Sequence, residues 1–355
     1  MSDEPVKITV IGNSGTGKTC YLLGMYYDMC AGHAGFSICA SDDDQDRELT
    51  RKYENMQDAS KGADRFPRGT DQSERYDFKL QYALKTIKPF SWIDYPGGYL
   101  KLKNDSAPGE YEKVKQSIDE ATCLFICIDG ENLCGNNYQK KLENIKNQSG
   151  GITPFFSKFR DENREIPPVV MLITKYDLCK DDTDKEEICK LLKKAFSVFF
   201  VEGEKNIVAI IPVSLGSGIM EDEGTGLLQP LNMALPIFMG IWCSLLTDVS
   251  REREEVNGLH RKIDDNKQKI KKENDRWFFM KDEKKIASLE NANDQYRITI
   301  ETLNNEISVA ERYNDILLEQ LKKVPVLYYS GKDLRQNDGT NMFVELLRRV
   351  RWEVS

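Results

Sequence analysis

Histidine is nearly missing from this chain: of 355 residues only His33 and His260 carry an imidazole. Cysteines are more numerous, nine in all, but no two stand in a CxxC pair. These shortages argue against a zinc site and against histidine-based nucleophilic catalysis. Cys20, Cys123, Cys127 and Cys243 lie inside apolar runs, where a small thiol packs well, so the cysteines suggest no disulfide framework. Long hydrophobic runs are also lacking. The most apolar stretch, Ala234 to Leu246, is about thirteen residues, below the roughly twenty needed to cross a bilayer, and reads as a buried helix. The amino terminus Met1-Ser2-Asp3-Glu4-Pro5 has neither the basic nor the apolar segment of a signal peptide, and neither end carries a lipidation box. A cytoplasmic location is the expectation. Positive charge is in deficit, 50 Lys and Arg against 58 Asp and Glu, which argues against general nucleic-acid binding.

The length suffices for one large domain with an elaboration, or for two domains. Its strongest local signal is Gly12-Asn13-Ser14-Gly15-Thr16-Gly17-Lys18-Thr19, which follows the apolar strand Ile8-Thr9-Val10-Ile11 and opens an apolar-periodic segment beginning at Cys20. This is the GxxxxGKS/T pattern in its required strand-to-helix context. Glycines let backbone N–H groups curl around phosphate oxygens, and the new helix turns its positive end toward them. Lys18 reaches the β and γ oxygens, and the Thr19 hydroxyl ligates Mg²⁺. A glycine turn that merely starts a helix would explain the glycines but not the Lys-Thr pair.

Asp42-Asp43-Asp44 opens a polar, helical segment to about Gly62, with the triplet read as a cap and acidic first turn rather than a cation site. Tyr76 to Tyr82 alternates with period two and Pro89 to Ile93 is a short strand, so the two read as neighbours joined by a tight connection. Apolar runs recur at 123–128, 169–173 and 207–211, separated by candidate helices near 108–121, 137–160 and 185–200. That alternation predicts an α/β fold with a mostly parallel sheet covered on both faces. The expected organisation is an α/β domain over 1–248, a coiled-coil helical hairpin over 249–324, and a strand and helix over 325–355 docking back on the first domain.

Strand ends are where open α/β sheets bind ligands. Trp92-Ile93 runs into Asp94-Tyr95-Pro96-Gly97, which offers a carboxylate for Mg²⁺ and a glycine N–H for the terminal phosphate. Leu172-Ile173 runs into Thr174-Lys175-Tyr176-Asp177. Guanine presents a ring N–H beside an exocyclic amine, and one carboxylate accepts both, whereas adenine offers no such pair. Asp177 therefore selects guanine.

At this point residues 5–248 resemble the P-loop GTPases of the translation-factor and Ras-like (TRAFAC) class. Asp94 to Gly97 looks like a DxxG box, Thr174 to Asp177 like an N/TKxD base box, and Pro212-Val213-Ser214-Leu215 like the last base-contacting loop. The resemblance implies GTP or GDP with Mg²⁺ as ligands. It places Lys175 on the base, Ser214 and Leu215 at its carbonyl side, and the backbone of the loop from Gly12 to Cys20 around the phosphates. It also requires a switch threonine, and Thr70 within Phe66-Pro67-Arg68-Gly69-Thr70 is the candidate catalytic and Mg²⁺-binding residue. An ordinary Pro-Gly turn is the alternative for that segment. Gly98 stands where a Ras-like enzyme has its water-positioning glutamine, so the implied hydrolysis is slow or partner-dependent. Arg68 or Arg65 is available as an internal arginine finger, with a solvent-facing loop arginine as the competing reading. The switch segment, the DxPG box and the acidic loop from Gly216 to Gly226 further resemble bacterial double-GTPase and GTPase-associated conflict-system proteins, which implies a part in a multi-protein defence or signalling system.

The segment from Val249 carries a seven-residue beat, Val249, Val256, Ile263, Ile270 and Trp277. A second run, from Ile286 to Val324, spaces apolar residues by threes and fours. Two arms argue for a hairpin rod, with the first arm continuing back into the buried helix near 228–248; one uninterrupted helix is the alternative, since no proline or glycine marks a turn. The tip Trp277-Phe278-Phe279-Met280 is flanked by lysines and Arg276. Its aromatics read as a plug of the turn or a contact for a partner helix; a protein partner is expected at the coiled-coil rod or the switch loops, with self-association as a further option. A dynamin-like, membrane-touching tip is the second reading, and a structural coiled-coil adaptor with a vestigial nucleotide site is the third.

Overall fold

Strands that are apolar along their whole length need cover on both faces, and three of them form the middle of a nine-stranded sheet. The computed structural model describes residues 4–69, 73–97, 108–156, 165–216, 228–277, 281–336 and 341–353. Strands β1 (Val6–Ile11), β4 (Lys85–Asp94), β5 (Cys123–Asp129), β6 (Val169–Thr174) and β7 (Ile207–Pro212) run parallel in the order β4-β1-β5-β6-β7. On one side, β3 (Glu74–Tyr82) and β2 (Phe36–Ala40) add antiparallel to β4. On the other, β8 (Val326–Tyr329) adds antiparallel to β7 and the short β9 (Lys332–Asp333) to β8. The chain is therefore a mostly parallel α/β fold, as its apolar pattern predicts.

Residues 31–41 carry no element in the sequence reading, yet β2 lies there. Five residues with only Phe36 and Ile38 fully inside give too brief an alternation to stand out. The tight connection between β3 and β4 is a two-residue turn at Ala83 and Leu84, both with positive φ (47° and 64°), the geometry that suits strand twist even without glycine.

One face of the sheet is covered by α1 (Lys18–Cys30). Tyr21 of this helix stacks on Trp92 at 5.6 Å, and Trp92 meets Phe125 edge-on at 5.6 Å. The other face buries Leu124, Ile126, Met171 and Ile173 beneath α3 (Pro108–Asp119), α4 (Tyr138–Ser149) and α5 (Lys185–Ala195). Next to α1 in sequence order comes α2 (Asp43–Gln57), whose Asp42 side chain accepts from the Gln45 N–H at 2.8 Å, so the acidic triplet is a helix cap and first turn.

Chain contacts divide the molecule into a globular unit, residues 3–243 with 320–353, and a helical unit, residues 244–319. The helix α6 (Leu235–Asn274) has 40 residues and α7 (Glu283–Leu321) has 39. Two helices replace the single-helix alternative. The turn is marked by Asp282, which caps α7 by accepting from the Lys285 N–H at 3.0 Å, and by Glu273, which ion-pairs with Lys285 at 2.7 Å.

Within the globular unit, the first turns of α6 bury Ile237, Phe238, Ile241 and Trp242, and Trp242 meets Phe343 of α8 (Met342–Glu353) edge-on at 5.3 Å. Within the helical unit, Leu259, Ile263 and Ile300 form the seam together with Val256, Tyr296 and Leu303. The seam also holds a buried amide pair, Asn266 donating to Asn293 at 3.0 Å, a device that fixes the register of two arms at a cost in stability. Among the described residues, no helix is long and apolar enough to cross a membrane.

Candidate functional site

The C-terminal ends of β1, β4, β5, β6 and β7 lead into one cavity of about 410 Å³. Its phosphate side is the turn from Gly12 to Thr19. Gly15 and Gly17 both take φ of +80°, which lets the chain curl before α1 begins. Lys18 folds its ammonium back over the turn, donating to the carbonyls of Gly12 at 3.0 Å and Asn13 at 3.2 Å. Ser14 to Cys20 line the cavity directly. The Cys20 thiol is pushed up to about 11 by burial, opposed by the nearby Lys175, so it stays protonated at neutral pH.

The Thr19 hydroxyl donates to Oδ2 of the buried Asp94 at 3.1 Å. A hydroxyl and a carboxylate side by side at a phosphate loop are hard oxygen donors of the kind Mg²⁺ takes. They are few enough to leave the ion most of its shell for phosphates and water. The residues fit the ion; Thr19 would ligate it and Asp94 would hold it directly or through water, where it would neutralise charge on the β and γ oxygens. Thr70, the other candidate ligand, and Gly98 lie outside the described residues.

Gly97 sits against the phosphate loop so tightly that a Cβ would fall 2.1 Å from the Ser14 nitrogen and 2.2 Å from the Asn13 carbonyl carbon. Only glycine permits that approach. Phe66, Pro67, Arg68 and Gly69 bring the switch-candidate segment to the same rim. Arg68 keeps a side chain that is 94% exposed, with Asp64 at 3.9 Å, whereas Arg65 is buried against the Phe66 ring and does not line the cavity. Of the two arginines, Arg68 alone remains a finger candidate.

Thr174, Lys175, Asp177, Ser214 and Leu215 also line the cavity. Thr174 acts as a tie: its hydroxyl lies 2.7 Å from the Thr16 carbonyl and 3.0 Å from that of Ile128. Lys175 turns the chain with φ of +50°, and one helical turn, Tyr176–Cys179, then presents Asp177. Burial raises the Asp177 pKa above its ordinary value, opposed by a backbone N–H, by Lys180 and, less strongly, by the nearby Ser214 hydroxyl and Lys175. Leu215 packs onto α1, where a Cβ at Gly24 would come within 2.7 Å of it.

Two residues of the site lie outside the motif boxes. Lys175 ion-pairs with Asp129, the last residue of β5, at 3.1 Å and with Glu131, just beyond it, at 2.9 Å. Between them Gly130 is pressed on the base loop, a Cβ there falling 2.5 Å from the Thr174 carbonyl oxygen. The signal was present: Ile128-Asp129-Gly130-Glu131 is an apolar strand ending in polar residues beside a glycine, like the other two strand ends.

The raised pKa of Asp177 gives opposite acid responses. A guanine acceptor must be ionised, so with Asp177 in that role GTP affinity is expected to be full above the raised pKa and to fall as pH drops through it. In the ligand-free protein the folded state holds this proton more tightly than the unfolded one. The Asp177 contribution to stability therefore grows as pH falls through the same interval. Titrating GTP affinity and melting temperature side by side, with Asp177→Asn as the reference, should show the two trends diverging only in the wild type.

Fold and loops together define a P-loop GTPase. The profile of the Double-GTPase 2 family matches residues 7–213, more than half the chain, and the chain belongs to that family. No curated protein sequence matches the chain. Among solved structures, it is similar to the signal recognition particle receptor SRb-GTP/SRX complex from Chaetomium thermophilum, at 13% identity over 53% of this chain and 78% of that one, TM-score 0.32. It is also similar to the GTP-bound Ski7 GTPase-like domain of S. cerevisiae, at 17% identity over 62% and 45%, TM-score 0.33. A mutation variant of SsGBP matches at 11% identity over 59% of this chain with TM-score 0.32, and this chain spans 50% of that one. Likenesses this distant carry no argument; the assignment rests on the family match, the strand order and the site.

Proposed function

We propose that this protein is a Mg²⁺-dependent GTP-binding switch whose own hydrolysis is slow or stimulated by a partner. The observation that carries the reading is a single cavity lined both by Lys18 and Thr19 of the phosphate turn and by Asp177 and Ser214. A carboxylate there matches the two adjacent N–H donors of guanine, while the phosphate loop and Asp94 serve the phosphates. Binding of GTP against ATP, measured on the purified protein and on Asp177→Asn, tests it; preference for ATP would overturn it.

Slow turnover is supported by Gly98 in the sequence position of the water-positioning glutamine. Arg68 is exposed, so it would have to swing inward to serve as a finger. Arg68→Ala is expected to leave basal GTP turnover within about threefold of wild type, because an intramolecular finger is worth far more, on the order of 10³-fold. A drop of that larger size would place Arg68 in the reaction.

The state of the nucleotide would be passed to a protein partner through the switch-candidate segment and the helical hairpin, with Thr70 responding to the γ-phosphate. A role in a multi-protein defence or signalling system is supported by the family alone.

A further inference from the structure

Charge along the helical unit is polarised. The turn end, residues 267–285, carries eight basic and four acidic side chains, while the opposite end, residues 244–256 with 306–319, carries three basic and eight acidic ones. Some of the acidic groups are already paired, as in Arg253 with Glu311 and Arg251 with Asp248 at 2.9 Å. An excess remains. Burial, with Glu306 and Asp248 close by, raises the pKa of Glu252, as expected of carboxylates crowded together.

Midway between the ends, an open groove of about 410 Å³ lies between His260 and Lys267 of α6 and Arg297, Glu301 and Asn305 of α7, floored by the seam residues Ile263 and Ile300. On α7 beside it stands Ile298, 58% exposed. Ile298, Thr302, Asn305 and Val309, the last 43% exposed, follow the four-three-four spacing that places residues on one helical face. That face belongs to neither side of the intramolecular seam, which uses Tyr296, Ile300, Leu303 and Ile307.

We infer that this face is an interface between two copies of the chain, with their hairpins laid antiparallel. Antiparallel pairing sets each basic turn end against the acidic end of the other copy. A parallel pairing would set like against like at both ends. The two-fold axis then falls at the middle of the hairpin, where the groove and Ile298 lie, and a two-fold contact is self-complementary: each Ile298 meets the groove region of the other copy. Apolar contact at the centre supplies affinity, and the charged ends fix orientation. The exposed Trp277, 76% accessible at the turn, is carried to the acidic end of its neighbour.

The experiment is sedimentation of the full-length protein across micromolar concentrations at low and high salt. Wild type should be a dimer that weakens as salt rises. Ile298→Arg should leave monomers. Reversing the turn end with Lys272→Glu and Lys284→Glu, which leaves the Glu273–Lys285 pair in place, should weaken the dimer at least about tenfold, as should reversing the exposed Glu254 and Glu255 to lysine; circular dichroism checks that helicity is kept. Both reversals on one chain restore opposite ends and should return the dimer to within about threefold of wild type, which a mere folding defect would not do. A monomeric wild type overturns the proposal, as does a dimer indifferent to Ile298→Arg and to both reversals. Failure of the double reversal to rescue overturns the antiparallel order. A monomer whose turn end instead binds phosphatidylserine vesicles, lost on Lys272→Glu with Lys284→Glu, assigns the end to a membrane surface and overturns it too. None of these results depends on GTP binding.

Discussion

Asp177→Asn should lower GTP affinity by at least about a hundredfold while leaving ATP binding, whatever its level, unchanged. The carboxylate stands with Ser214 in the lining of the cavity. There it can accept from both donors of guanine at once. Hydrogen bonds to a charged group are worth about 1.5–3 kcal/mol each, and an amide can accept only one of the pair while setting its own N–H₂ against the other. A net loss of about 3 kcal/mol corresponds to roughly a hundredfold in affinity. Isothermal titration with GTP, GDP and ATP reads the effect. Equal losses for all three would mean that the site had collapsed, and no loss for GTP would remove Asp177 from base selection.

Gly97→Ala is expected to separate binding from turnover. A methyl group 2.1 Å from the Ser14 nitrogen cannot be accommodated, and the clash is with backbone rather than with a side chain that can rotate away. The segment after β4 must retreat from the phosphate loop by about an ångström or more. Misplacement on that scale costs on the order of 10²-fold in rate when the reacting groups must be aligned. GDP affinity, which rests on the phosphate loop and the base end, should stay within several-fold. Single-turnover hydrolysis beside GDP titration distinguishes the two quantities; unchanged turnover would show that the contact is packing and nothing more.

The parallel centre of the sheet was readable from β5, β6 and β7 because strands buried on both faces leave continuous apolar runs with no alternation to misread. The motif boxes could be placed for a related reason, since each begins at the end of a strand or directly after it. Less legible was the edge. β2 is short and half-buried, so its composition barely differs from that of a loop. The hairpin turn escaped a reading based on glycine and proline because it is made by a cap, Asp282, and an ion pair across the arms, Glu273 with Lys285. Asp129 and Glu131 were missed for a different reason. The strand end that carries them is visible in the sequence, but what they do there depends on Lys175, which reaches them from over forty positions away along the chain.

The hydroxyl of Thr174 touches the carbonyls of Thr16 and Ile128, and so spans the phosphate turn, β5 and the base loop with two contacts. Each end of a bound nucleotide is thereby registered against one frame. Once the triphosphate is seated, the base finds its acceptor at high effective concentration, without a second search in space. Such a site behaves as a chelator of one particular span, and its selectivity is for length and shape as much as for either group alone.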